Sequence, residues 1–130
     1  IRKALATGDY SVLGHEARFA IERKSLGDLA GCFHTERFRN ELERLRAIPF
    51  AFLLLEHPVD RLNDGSSDGF FHKSKVNPKA LAAFLHSLPF RYGVHVVGCR
   101  DRQRAEATAA ALVEKYCRYA VGGDLKAHPS

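Results

Sequence analysis

The fold is decided by residues 8–28, which read GDYSVLGHEARFAIERKSLGD. Residues 11–13 and 19–21 are typical of β-strands, and residues 14–17 supply turn-forming residues between them. We therefore predict a β-hairpin over about residues 8–24, followed by the start of a helix at residue 25.

The predicted hairpin brings two carboxylates together. If the turn is centred on residues 15–16, Asp9 lies directly opposite Glu22, and opposed side chains have Cβ atoms about 5 Å apart. Strand alternation places Lys24 on the same face as Glu22 and turns Arg23 to the other face. Mg²⁺ and Mn²⁺ take oxygen ligands, so this face predicts a site for a divalent cation.

The order Gly8-Asp9, Glu22-Arg23-Lys24 and Asp28 resembles the GD…ERKxxxD signature of the XPF family of structure-specific endonucleases. That family is a branch of the PD-(D/E)XK nucleases. A later segment, residues 91–94, precedes a predicted strand and an Ala-rich helix and is similar to the end of the same nuclease domain. The resemblance implies an α/β fold of the restriction-endonuclease type, with a mixed central β-sheet flanked by helices. It also implies metal-dependent cleavage of branched DNA, such as flaps and forks.

The resemblance also implies roles for individual residues. Asp9, Glu22 and the backbone carbonyl of Arg23 are expected to bind Mg²⁺ or Mn²⁺, and Lys24 to act in catalysis with the two carboxylates. Asp28 is expected to support the site, although its place in a helix-capping box explains it equally well. The Arg23 side chain, on the opposite face, is expected to form a structural ion pair, with Asp28 as one partner to consider.

Three basic residues are expected to contact DNA. Arg37 is placed where the family keeps an arginine near the scissile phosphate, and the alternative is a surface ion pair with Glu41. Lys73 and Lys75 follow Phe70-Phe71 in a polar stretch, which suits phosphate contacts with stacking on an unpaired base. The alternative for this stretch is that the two phenylalanines anchor a loop to the core.

The rest of the chain alternates between helices and strands. The expected elements are a helix from residue 25 interrupted near residues 31–34, a helix over 35–48, a buried strand over 50–55, a polar loop over 58–77, a helix over 78–88, a strand over 94–99 and a helix from 101 or 102 to about 119. No element is predicted for residues 1–7. The family usually has an Asp-x-Arg-Glu strand ahead of the hairpin, and we expect this chain to lack it.

Composition limits the alternatives. A chain of 130 residues suits one domain, and a net charge of +5 favours a polyanionic partner such as DNA. Three widely spaced cysteines suggest reduced thiols in a cytoplasmic protein, nucleoid-associated if the source is bacterial. We expect no membrane segment, no nucleotide cofactor and no helix-hairpin-helix module. A homodimer is expected through an apolar face of the last helix, made of Ala105, Thr108, Ala109, Leu112 and Tyr116.

Two other functions remain open from sequence. The chain resembles an active nuclease, but relatives of this type pair with inactive partners, so a DNA-binding scaffold with weak or no catalysis is one alternative. A junction resolvase or a restriction-type nuclease is the other.

Overall fold

The centre of the fold is a five-stranded mixed β-sheet, seen in a computed structural model that describes residues 2–5 and 9–121. The strands are β1 (Arg2–Leu5), β2 (Asp9–Val12), β3 (Phe19–Lys24), β4 (Phe50–Leu55) and β5 (Val94–Gly98). They lie side by side in the order of the chain. Strands β1, β2 and β3 are antiparallel, whereas β3, β4 and β5 are parallel. The predicted α/β fold with a mixed sheet is therefore confirmed.

Strands β2 and β3 form the predicted hairpin. Tyr10 pairs with Ile21, and in this register Asp9 lies opposite Glu22, as expected from a turn centred on residues 15–16. Gly14 in the turn has a φ of +86°, a conformation that glycine adopts without steric cost. Gly8 lies outside the described residues, so the predicted hairpin is confirmed for residues 9–24.

Strand β1 occupies residues for which no element was expected. It pairs with β2 from Arg2 opposite Val12 to Leu5 opposite Asp9, at the edge of the sheet. The sheet thus has a strand ahead of the hairpin, although the sequence of this strand contains no Asp-x-Arg-Glu motif.

Helices cover both faces of the sheet. They are α1 (Leu26–Cys32), α2 (Glu36–Arg46), α3 (Asp68–Ser74), α4 (Pro78–Tyr92) and α5 (Arg102–Lys115), and a π-helical turn over Tyr116–Val121 extends α5. Helices α1 to α4 share one buried cluster with Ala20, and α5 shares another with Ile21. Because side chains alternate along a strand, Glu22 faces the α1–α4 side and Arg23 faces α5.

Helices α1 and α2 begin at side-chain caps. The Ser25 hydroxyl accepts a hydrogen bond from the Asp28 amide at 3.1 Å, and the Thr35 hydroxyl accepts one from the Phe38 amide at 3.2 Å. The two caps explain why the helical stretch is divided between residues 32 and 36, as predicted. The apolar residues at helical spacing that predicted the buried face of this second helix are all buried. They are Phe38, Leu42, Leu45 and Ile48.

Strand β4 occupies the middle of the sheet, between its two parallel neighbours. Leu53, Leu54 and Leu55 are each 0% exposed although they alternate between the two faces. This confirms the predicted strand covered on both sides by helices.

The segment predicted as a polar loop is partly helical. A 3₁₀ turn covers Val59–Arg61, and α3 follows. The reason is apolar burial: Phe71 is 4% exposed in the core and Phe70 packs against the same cluster. The anchoring interpretation of the two phenylalanines is therefore confirmed, but a helix, not a loop, is what they anchor.

Helix α4 begins at Asn77 as predicted, since the Asn77 side chain accepts hydrogen bonds from the next amides of the helix. It ends later than the predicted residue 88, because it continues through Pro89 to Tyr92. Leu88 and Tyr92 are buried in the core, which offsets the backbone hydrogen bond that proline cannot donate. Gly93 then ends the helix at a φ of +67°.

Helix α5 and its π-helical extension end close to the predicted boundary at residue 119. Three of the five residues of the expected homodimer face pack inside the chain, and the homodimer itself stays a prediction. Ala105 and Ala109 are 0% exposed and Tyr116 is 5% exposed. Ala109 and Tyr116 pack with Val12 of β2 in the second buried cluster.

The reduced thiols expected from composition are present in the described residues. Cys32, Cys99 and Cys117 are free thiols. No helix in the described part of the chain is long and apolar enough to span a bilayer.

Candidate functional site

Two carboxylates meet on the hairpin, on the face covered by α1 and α2. Glu22 is 5% exposed, and its side chain interacts with Asp9 through a hydrogen bond. The backbone of Arg23 lies near the Asp9 carboxylate and lowers its pKa. The Oδ1 atom of Asp9 is buried and has no hydrogen-bond partner among the described residues. The predicted pairing of the two acids is thus present, with one carboxylate oxygen left without a partner.

Burial and mutual repulsion change how the two acids ionise. Desolvation is the largest cause that raises the pKa of Glu22 to about 7, and the charge of Asp9 adds to it. Burial also raises the pKa of Asp9, while the hydrogen bond from Glu22 acts in the opposite direction. The pair therefore retains a proton near neutral pH, and a divalent cation would supply the positive charge in its place.

Lys24 lies beside this pair, as strand alternation predicted. Its Nζ is 3.6 Å from Oε2 of Glu22 and 5.4 Å from the centre of the Phe38 ring. The side chain lines a cavity of about 370 Å³ between α1 and α2. Lys24 can therefore place its positive charge next to a ligand that enters this cavity.

Glu41 is a third acid of the site, whereas the sequence suggested a surface ion pair between Glu41 and Arg37. It lines the same cavity from α2, and its charge raises the pKa of both Asp9 and Glu22. Its Oε1 atom is buried without a hydrogen-bond partner, and among the described residues no ion pair joins it to Arg37. The pairing of Glu41 with Arg37 is therefore wrong. The signal in the sequence was its position at the border of the apolar face of α2, one residue before Leu42.

Arg37 and Asp28 line the cavity together with Lys24. Both are exposed. The backbone amide of Asp28 takes part in the α1 cap, and no hydrogen bond or ion pair to its carboxylate is found among the described residues. The structure thus brings Asp28 and Arg37 to the mouth of the predicted site.

The side chain of Arg23 serves the opposite face of the sheet. Its Nε lies 3.3 Å from Oε2 of Glu56, and its Nη1 lies 3.0 Å from Oε2 of Glu106 on α5. The suggested pairing with Asp28 is therefore wrong, and the prediction that Arg23 points away from the carboxylate pair is confirmed.

Lys73 and Lys75 do not converge on the site. Lys73 lies in the last turn of α3, and Lys75 follows it in the left-handed conformation, with a φ of +60°. Both are exposed, and neither lines the cavity that holds Lys24. Their contact with DNA stays a prediction.

The donor set of the site suits a hard cation. The unpartnered oxygens of Asp9 and Glu41 are buried carboxylate atoms, and Mg²⁺ is bound in proteins by carboxylates with several waters completing its shell. In the part of the chain that the structure describes, no three His, Cys, Asp or Glu side chains are close enough to form a complete metal cluster. The carboxylates of the site are those of Asp9, Glu22 and Glu41, and a cation bound to any two of them would need water or substrate oxygens to complete its shell.

Comparisons with known proteins agree with this geometry. A family model described as the ERCC4 domain matches residues 1–112. Neither the curated proteins nor the solved structures give a match to the chain.

Proposed function

The chain belongs to the ERCC4 domain family of restriction-endonuclease-like nucleases, and on that premise we propose that it is a metal-dependent DNA endonuclease. It would hydrolyse phosphodiester bonds in branched DNA, such as flaps and forks. We also propose that residues 1–130 form a single nuclease domain, because the described helices all pack on one sheet.

One observation carries this proposal. Asp9 and Glu22 lie beside Lys24, whose side chain lines the cavity, and burial of the two acids raises the pKa of Glu22 to about 7. A buried acidic pair destabilises the fold unless a counter-charge compensates it. Keeping such a pair next to a lysine is what metal-assisted phosphodiester hydrolysis requires.

The Arg23 backbone supplies a further ligand. The neighbouring Lys24 carbonyl accepts a hydrogen bond from the Glu56 amide on the β4 side, and the backbone groups of successive strand residues point to opposite neighbouring strands. The Arg23 carbonyl therefore points to the β2 side, where it would bind Mg²⁺ or Mn²⁺ together with Asp9 and Glu22. When bound, the cation would polarise the scissile phosphate and lower the pKa of a bound water.

The chain's own cations act on the phosphate. Lys24 would orient the attacking water or stabilise the negative charge that develops on the phosphoryl oxygens. Arg37, at the mouth of the cavity, would hold a phosphate of the bound strand, since guanidinium groups bind phosphate in a bidentate manner. Asp28 would support this arrangement from α1.

The test is cleavage of a labelled panel of single-stranded, duplex, flap, fork and four-way-junction DNA with Mg²⁺, Mn²⁺ or EDTA. We expect metal-dependent cutting of the branched substrates, and loss of cutting but not of DNA binding in Asp9→Ala and Lys24→Ala. Glu43→Gln, which removes an exposed carboxylate of α2 outside the cavity, is the matched control. Cutting at the wild-type rate by Asp9→Ala would contradict the site assignment.

One alternative is a DNA-binding scaffold with weak or no catalysis, because β1, the strand ahead of the hairpin, has no Asp-x-Arg-Glu motif. Binding of the panel without cutting, in either metal, would support it. Cutting confined to the four-way junction would support a resolvase, and sequence-dependent cutting of plain duplex would support a restriction-type nuclease.

A further inference from the structure

Two arginines lie on one exposed face of α2. Arg37 and Arg44 are seven residues apart, so at 3.6 residues per turn they differ in direction by only about 20°. Both are exposed, and among the described residues neither forms an ion pair. Arg46, by contrast, lies 3.6 Å from Glu43.

This face continues the site cavity along the helix. A second cavity of about 510 Å³ is lined by Glu36, Arg37, Asn40, Glu41 and Arg44. Arg37 and Glu41 also line the first cavity, where Lys24 lies. A connected surface therefore runs from Lys24 along α2 to Arg44.

We propose that Arg37, Asn40 and Arg44, here called the α2 track, bind the sugar–phosphate backbone of the DNA strand that enters the cleavage site. The proposal rests on the proposed nuclease function and extends it to the path of the strand. Seven residues of helix span about 10 Å, and one strand of B-DNA rises 3.4 Å per nucleotide. The track thus covers about three nucleotides on one side of the cut.

The charges along the track fit a polyanion better than a protein partner. Unpaired arginines bind phosphate oxygens through two parallel N–H groups, and the Asn40 amide is a neutral donor of the kind that contacts phosphates. Two acids also line the second cavity. The charge of Glu41 acts on Asp9 and Glu22, so a cation bound by these acids would offset it, and Glu36 lies in the first turn of the helix.

The same helix supplies matched controls. Arg39 and Arg46 point about 160–200° away from Arg37, and both are exposed. Neither lines the two cavities of the track. Variants at these positions change the net charge as Arg44→Gln does, but on the other flank of the helix.

The experiment compares Arg44→Gln with Arg39→Gln, Arg46→Gln and the charge-conserving Arg44→Lys. Binding of a fluorescent flap DNA is measured in EDTA over a series of salt concentrations, and KM and kcat are measured in Mg²⁺. For Arg44→Gln we expect a several-fold weaker Kd, a salt slope reduced by about one, and a raised KM with little change in kcat. Arg44→Lys should recover most of the salt slope, and thermal unfolding should show that all four variants are folded.

Three outcomes would overturn the α2 track. Arg44→Gln could match the wild type in Kd and salt slope while the wild type cuts DNA, which would leave the nuclease function intact and remove the track. All three glutamine variants could lose the same affinity, which would show a general charge effect. The wild type could fail to bind and to cut any DNA, which would contradict the track and the nuclease function together.

Discussion

At the scale of single residues, ionisation of the buried Asp9–Glu22 pair lowers the stability of the fold. Glu22 titrates at about 7 in the folded protein, above its ordinary value of 4.5. Between these two values the folded state binds more protons than the unfolded state, so the free energy of unfolding falls as pH rises. The contribution of Glu22 is present below pH 4.5 and is lost as pH passes through 7. The raised pKa of Asp9 acts in the same direction.

Glu22→Gln therefore gives a pH prediction. In EDTA, the wild type should lose up to about 3 kcal/mol of unfolding free energy between pH 5 and pH 8. The variant, which has no carboxylate to ionise at this position, should lose much less. Urea unfolding at several pH values measures both curves. Parallel curves for the two proteins would contradict the raised pKa of Glu22.

The residues of the site differ in how far sequence could predict them. Asp9, Glu22 and Lys24 were predictable because a symmetric hairpin and strand alternation are local rules, and the register between β2 and β3 follows them. The place of Glu41 in the site was not predictable, because it depends on how α2 packs against the hairpin. The partners of Arg23 were missed for the same reason, since Glu106 is separated from it by most of the chain.

At the scale of elements, helix α5 shows why an apolar face does not identify its own partner. The pattern of Ala105, Ala109 and Tyr116 suits packing either on a second copy or on the chain's own sheet. The structure selects the sheet, where both alanines are 0% exposed. Small side chains at these positions allow the helix to approach the strands closely.

Ala109→Leu tests this packing. Because interiors are close-packed, extra methylenes at a buried position force shifts that cost about 1–3 kcal/mol. Ala111→Leu is the matched control, since Ala111 lies on the exposed side of the same helix and should change stability by less than about 0.5 kcal/mol. Chemical unfolding gives both values. A change of oligomeric state in Ala109→Leu at unchanged stability would instead favour the homodimer face.

Helix α3 was predicted as a loop, and the end of α4 was predicted too early. Both errors come from residues that locally favour turns or helix ends. The glycines, serines and aspartates of residues 58–77 favour a loop, but burial of Phe71 outweighs them. Pro89 predicted an earlier end of α4, but the helix reaches Tyr92. In both cases long-range packing overrides a local preference.

At the scale of the whole molecule, the two faces of the sheet have separate tasks. The α1–α4 face holds the acids, Lys24 and the cavity. The α5 face holds the Arg23 ion pairs and the second buried cluster. A cation that binds the acids should therefore stabilise the fold as a whole without rearranging α5.

The melting temperature should accordingly rise with Mn²⁺ or Mg²⁺ at neutral pH. A ligand that binds only the folded state adds about 2.7 kcal/mol when its concentration is 100 times Kd, which corresponds to a rise of several degrees for a domain of this size. Differential scanning calorimetry of the wild type and of Asp9→Asn measures the effect. An equal rise in both proteins would show that the metal stabilises the fold from another place.

The order of the strands bears on how the chain folds during synthesis. Since each strand pairs with the one that precedes it in the chain, each strand leaving the ribosome finds its neighbour already made. At about 5–20 residues per second, the hairpin with Asp9 and Glu22 emerges several seconds before β5. At any time during synthesis, only the last strand made has an unpaired edge on the growing side of the sheet. The apolar β4 segment can pair with β3 as soon as it emerges, which limits the time in which it can aggregate with another nascent chain.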